Sequence, residues 1–314
     1  MTIVSFLSPK NLAQEKERFF ASKTYHPQLT YRWDEPETQL WIEKQTTYKA
    51  LVDAVLARDT LAIIEEAKKV FATELTIDAL QEAHKYLEKT PKKLPTPPVE
   101  KVVEGFKNAF SFLGLDEFEV EVSDSHGFNF RPNTSKNTIE MSKHLNMEFF
   151  SIDGEVKHEL VHILRYVNGK HNDIVTSRDY LPTEEGLACY CQDYLGENGE
   201  ASLFQHAVEY TMTEVALKSS FRELTEYLQE IGFSAELAWQ RGIRHKYGWE
   251  DTSQPGDIMK PSMYFYHEQK IRKLTDDERE RLFVGKITQS QLPQYPDYVG
   301  RLPLDKLREF YKKA

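Results

Sequence analysis

Apolar residues recur at helical spacing along most of the chain and alternate with period two only in one short central stretch. Across residues 46–69 the run Leu51, Val55, Leu56, Ile63 and Ala67, continued by Val70, marks one face while charges fill the others. Residues 11–20 repeat the pattern, so residues 1–90 read as a helical N-terminal region. Four prolines crowd residues 91–101, where they break helices and favour extended chain, which predicts a linker or a strap across the surface. Residues 102–314 then form the main domain. It opens with "VVEGFKNAFSFLGL", a helix stopped at Gly114, and continues into "FEVEV", "FNFRP" and "NTIEMS", three short strands by their alternation. Next comes "EVKHELVHILRYVNGKHN", residues 155–172, a helix in which apolar side chains surround a polar triplet. From Ala201 onward the pattern is helical again, interrupted at "RGIRHKYGWEDTSQPGDIMKPSMYFYHEQK", and "RLPLDKLREFYKKA" closes as a short helix. The predicted fold class is α+β: mainly helical, with a small β-sheet beside the helix of residues 155–172.

Charge narrows the choice of partner. Forty basic against 50 acidic side chains give a net charge of -10, which argues against nucleic acid or an anionic membrane as the partner. The two cysteines, Cys189 and Cys191, point in different directions on a helix and do not bridge easily, which suits a reducing compartment. The opening residues lack a basic start followed by an apolar core, and no run reaches the roughly 18 apolar residues of a membrane span. A soluble protein of the cytoplasm is expected.

The chemistry lies in the apolar helix, where His158, Glu159 and His162 spell H-E-x-x-H. One turn apart on the same face, with about 6 Å between Cβ atoms, the two imidazoles can reach a single tetrahedral zinc ion. Glu159 is rotated away from them, in the position of a general base for a water activated by the metal. With 10 histidines in 314 residues, such a match arises by chance in about 0.03 of comparable chains. A catalytic zinc site needs a third ligand. "LPTEEGLACYCQDY" offers one, since Pro182 and Thr183 read as a helix start and Glu184 and Glu185 fall in its first turn. Two glutamates there also suit the helix dipole, and the spacing alone does not choose between them. Other histidines carry less: His171 reads as exposed, and His126, in "SDSHGF", as a turn residue. Cys189 and Cys191 read as small buried apolar residues rather than ligands.

"HELVHILRYVNGK" followed by "TEEGLACY" resembles the zinc carboxypeptidase family that includes the tubulin tyrosine and glutamate carboxypeptidases and bacterial proteins named for a Q-E-G-L-A motif. That family shows a histidine pair with an adjacent Glu, then Asn-Gly, then T-x-E-G-L-A, in this order. The opening "NLAQEKERFF" and "HPQLTY" and the downstream "QRGIRHKYG", "KPSMYFYHEQKI" and "FVGKIT" are similar as well, although residues 155–190 are the specific part. Two departures stand out. Family members commonly have H-E-x-x-x-H, whereas this chain has the i, i+4 spacing of a regular helix, and Glu184 stands where the motif has Gln.

The resemblance implies the zinc (Zn2+) ligands His158, His162 and Glu185, with Glu159 as the base. It also implies a carboxypeptidase acting on a peptide or protein C-terminus of Tyr or Glu type, with residues 102–314 as the catalytic domain. Such an enzyme must hold a terminal carboxylate, for which planar Arg is the best donor. Arg241 and Arg244 match Arg residues of the family's block, and Tyr264 matches the tyrosine of its downstream block, the expected donor to the oxyanion. Tyr266 and His267 are neighbours with less support, and "NTIEMS" could present an edge to the substrate backbone. Two other readings stay open: a zinc aminopeptidase or endopeptidase of H-E-x-x-H…E type, and an inactive, zinc-stabilised binding or regulatory protein.

Overall fold

A computed structural model describes residues 3–124 and 128–313. The chain divides into two compact units, Met1–His84 with Val208–Met263 and Lys85–Ala207 with Tyr264–Ala314. It is mainly helical, with one small mixed sheet. No helix among the described residues is long and apolar enough to cross a membrane.

The second unit is built around the helix Ile152–His171. Ser151 caps its start, the Oγ accepting from Gly154 N at 2.9 Å; Asp153 and Glu155 lie in its first turn, and Lys170 and His171 in its last. Its apolar residues, Leu160, Val161, Ile163 and Leu164 among them, join one core with Phe106 and Phe110 of the helix Val99–Leu113, and with Ile139 and Met141 of the sheet. Gly114, at φ 67°, ends Val99–Leu113 as the sequence predicts. The proline-rich segment ahead of that helix lies as a strap, Leu94 N donating to Glu148 O at 2.7 Å.

The sheet contains β1 (Glu119–Ser123), β2 (Phe130–Asn133) and β3 (Thr138–Ser142) in the order β1-β3-β2. β1 pairs parallel to β3 and β2 antiparallel to it, with Val120 opposite Ile139 and Phe130 opposite Met141. The expectation that "NTIEMS" presents a free edge is thereby corrected: β3 is the central strand, and its neighbours already use its hydrogen-bonding groups on both sides.

In the first unit the helical spacing of residues 46–69 is carried by two helices, Lys49–Ala57 and Thr60–Val70. Arg58 turns to φ 56°, and the side chain of Asp59 restarts the helix by accepting from Ala62 N at 3.0 Å. The interruption read from residue 241 is also narrower than expected. Residues 241–245 finish the helix Ala235–His245, and residues 260–270 belong to Lys260–Arg272, where Pro261 occupies a first-turn position that needs no donated N–H. Phe19, Phe221 and Trp239 form a mutually packed aromatic cluster with ring centroids 5.0–5.1 Å apart.

Lys246 is fully buried in this unit, and its ammonium donates to the carbonyls of Ala216, Ser219, Gln254 and Gly256 at 2.8–3.1 Å. It fills the place of a bound cation between three segments. Lys246→Met would remove the shared donor of these four carbonyls, of which, among the described residues, Ala216 O alone also accepts from a backbone amide, that of Gly256, at 2.9 Å. Urea unfolding of this variant is expected to show a loss of roughly 3 kcal/mol or more relative to the parent.

Candidate metal centre

The i, i+4 spacing does what a regular helix allows. His158 and His162 project side by side from Ile152–His171, with ring centroids 5.4 Å apart. Facing them is the helix Tyr180–Tyr190, which begins before the expected start at Pro182, so Glu184 and Glu185 lie beyond its first turn and are buried. The dipole reading of these glutamates therefore fails. At Gly186 the helix meets the backbone of His267 so closely that a Cβ would come within 2.8–2.9 Å of it. Glu185 Oε2 stands 3.6 Å from His158 Nε2 and 3.7 Å from His162 Nε2. These three residues are the one group among the described residues with the donor arrangement of a metal site.

The donor set fits zinc. Two nitrogens and a carboxylate oxygen about 2.0–2.1 Å from a tetrahedral zinc stand about 3.4 Å from one another, close to the spacing found. Both Nδ1 atoms are occupied elsewhere, which leaves Nε2 of each ring for the ion. His158 Nδ1 is 3.0 Å from Gln192 Oε1, and Gln192 Nε2 in turn donates to Glu155 Oε1 at 2.8 Å. His162 Nδ1 is 2.9 Å from Glu184 Oε1, which also accepts from Lys286 Nζ at 2.8 Å. Burial works against the charge on Glu184, but Lys286, His162 and Arg165 together hold its carboxyl below the usual range. Gln192 reaches back from a widened π turn, Cys191–Leu195, that continues the Glu185 helix.

Glu159 lies beside the pair, buried, and its Oε2 has no hydrogen-bond partner among the described residues. Burial pushes its carboxyl up to about 8; the charge on His162 opposes this, and Glu155, Glu185 and Glu184 add to it. An acid poised there is suited to exchange a proton near neutral pH.

No family model matches the chain. Curated proteins do. The mouse (Mus musculus) microtubule-associated tyrosine carboxypeptidase 1 is 26% identical over 98% of this chain and 64% of its own length. The rat (Rattus norvegicus) protein of that name is 24% identical over 92% of this chain and 60% of its own length. For the human protein the figures are 27%, 82% and 53%. The chain is a distant homologue of the microtubule-associated tyrosine carboxypeptidases. It spans between about half and two thirds of the length of these relatives.

Against this homology the remaining predicted residues can be placed. Tyr264 is buried in the second unit and lies near-parallel to the His206 ring, 6.1 Å between centroids, while His206 Nδ1 is 2.9 Å from Asp193 Oδ2. Tyr266 and His267 meet edge to face on the same helix. Arg241 and Arg244 lie in the first unit, where both donate to Glu209 Oε1, at 2.9 and 3.2 Å. His171 is exposed, Cys189 and Cys191 are buried and not joined in a disulfide, and His126 lies outside the described residues. Sequence reasoning missed Gln192, Glu155, Arg165 and Lys286. Gln192 had a local signal, lying seven residues after Glu185, as had Glu155 and Arg165, seven residues from His162 and His158 on the same helical face; Lys286 had none.

A second buried polar cluster flanks Tyr264. Glu268 is fully buried on the helix Lys260–Arg272, and its Oε1, like Oδ1 of Asp193, has no hydrogen-bond partner among the described residues. Burial pushes the Glu268 carboxyl up to about 8, with Asp193 adding to the effect and Arg272, Gln269 and Tyr194 opposing it. The folded protein thus keeps a proton on Glu268 at pH values where the unfolded chain has released it. That contribution to stability is complete below about pH 4.5 and is lost as pH rises towards 8. Glu268→Gln, which carries an amide at every pH, is expected to gain on the parent by up to about 1.4 kcal/mol per pH unit across that window, measured by denaturant unfolding at several pH values.

Proposed function

We propose that the chain is a zinc-dependent metallopeptidase, a carboxypeptidase that removes a C-terminal residue of Tyr or Glu type, with residues 102–314 as its catalytic domain. One observation carries the reading: two imidazole Nε2 atoms and the Glu185 carboxylate converge beside a buried carboxyl with a free oxygen, in a homologue of tyrosine carboxypeptidases. His158, His162 and Glu185 would hold the zinc. When bound, zinc supplies Lewis acidity, lowering the pKa of a water and polarising a carbonyl.

The remaining chemistry belongs to the side chains. Glu159 takes the proton of the attacking water and delivers it to the leaving amine, a two-way transfer that its raised pKa favours. Tyr264 donates to the oxyanion, and the backing of Asp193 and His206 supports that role by fixing the ring against which it packs. Arg241 or Arg244 binds the terminal carboxylate, a role that suits the planar guanidinium; both donate to the carboxylate of Glu209 in this structure. The substrate is a peptide or protein C-terminus. Cys189 and Cys191, neither of them in a disulfide, suit a site of action in the cytoplasm.

Metal analysis of the purified protein is expected to give about one zinc per chain, and a library of peptides with free C-termini should be trimmed by one residue in a chelator-sensitive way. Glu159→Gln should retain the zinc and lose hydrolysis by about 10²–10⁴-fold. Cleavage of peptides with amidated C-termini would replace the carboxypeptidase reading with an endopeptidase or aminopeptidase of the same zinc type. Zinc without turnover on any peptide would replace it with a binding or regulatory protein.

A further inference from the structure

The two imidazoles of the metal centre are not backed alike. Behind His158 stands a neutral amide, that of Gln192. Behind His162 stands a carboxylate, that of Glu184, only 2% exposed. An imidazole whose Nδ1–H points at a full negative charge gives more electron density to a metal through Nε2 than one pointing at an amide. His162 is therefore built as the stronger ligand. The charge behind it is also divided. Glu184 Oε1 accepts from both His162 Nδ1 and Lys286 Nζ, at 2.9 and 2.8 Å, so the lysine competes for the very oxygen that serves the imidazole.

The other cation near Glu184 plays a different part. Arg165 Nη1 is 3.4 Å from Glu184 Oε2, the opposite oxygen, while its Nε donates to the carbonyls of Leu282 and Gly285 at 2.9 and 3.0 Å and its Nη2 to Ile287 O. Arg165 is fully buried and committed to the backbone of residues 282–287. Lys286 rests over the Tyr180 ring, 4.8 Å from its centroid, and directs its charge at Glu184.

We infer that Glu184 and Lys286 together set how tightly the centre holds its metal. Glu184 is a positioning residue that strengthens His162, and Lys286 restrains it by drawing off part of its charge. This rests on the zinc reading of the site. Its mark is an opposition of sign. Removing Lys286 leaves a buried carboxylate short of one cation, which destabilises the metal-free protein, yet frees that carboxylate to act fully on His162 and makes a bound dication more favourable.

The test is zinc competition against a chromophoric chelator, thermal melts with and without zinc, and the visible spectrum of the cobalt(II)-loaded full chain, for the parent, Glu184→Gln, Lys286→Met and the double variant. Glu184→Gln is expected to weaken zinc about 10–100-fold and to shift the cobalt bands. Lys286→Met should bind zinc several-fold more tightly than the parent while its metal-free form melts lower, so that zinc raises its melting temperature more than the parent's. In the Glu184→Gln background the lysine substitution should leave zinc affinity unchanged, because the charge it restrains is gone. Weaker or unchanged zinc binding by Lys286→Met, or an equal lysine effect in both backgrounds, would overturn the inference while leaving the zinc site standing. A parent that takes up no zinc would overturn the site itself. Should Glu184→Gln fail to fold, the sign of the Lys286→Met effect decides alone.

Discussion

A helix buried on nearly every side can carry polar side chains only if each finds a partner, because an unmet charge or hydrogen-bonding group in the core costs several kcal/mol. Ile152–His171 is such a helix, with Glu155, Lys157, His158, Glu159, Arg165 and Asn168 all buried along it. Lys157 Nζ donates to Leu195 O and Lys312 O, and Asn168 Nδ2 donates to Phe283 O while its Oδ1 accepts from Arg301 N. Arg165 gathers the carbonyls of residues 282–287. The same obligation that binds these distant segments to the helix holds the two imidazoles, since Gln192 and Glu184 are partners of that kind. Architecture and metal centre answer to one constraint. Glu159 is the exception, with one oxygen that has no hydrogen-bond partner among the described residues.

The part of this arrangement that could be read in the sequence is the part set by local spacing. His158, Glu159 and His162 lie within one helical turn, so their mutual geometry follows from the helix itself. The strands announced themselves by alternation, and Gly114 by its place after an apolar run. Glu184 and Glu185 could not be separated on residue pattern, and the structure shows why: both face the histidine pair, one towards Nε2 and the other towards Nδ1. Lys286 and Arg165 were out of reach because their partners come from segments far along the chain. The N-G of "YVNGK" carried only a resemblance until its geometry was visible. Asn168 ties two segments, and a Cβ at Gly169 would sit 3.4 Å from Gly285 Cα, so the small residue admits the chain that bears Lys286. Misplaced boundaries had equally local causes. Nothing in the apolar pattern warns that Arg58 turns left-handed, and the glycines and aromatics of residues 241–270 look like loop although half of them lie in helices.

The widened turn Cys191–Leu195 joins two pieces of chemistry that are otherwise separate. Consecutive residues within it serve different rings: Gln192 meets the imidazole of His158, and Asp193 meets that of His206, on which Tyr264 lies. A π turn holds more residues per revolution than an α turn, so the inserted residue shifts the facing of every side chain around it, Gln192 and Asp193 included. Shortening the segment by a single amino acid would tighten it to ordinary pitch and swing one or both side chains off their rings. Length here is thus fixed more strictly than identity.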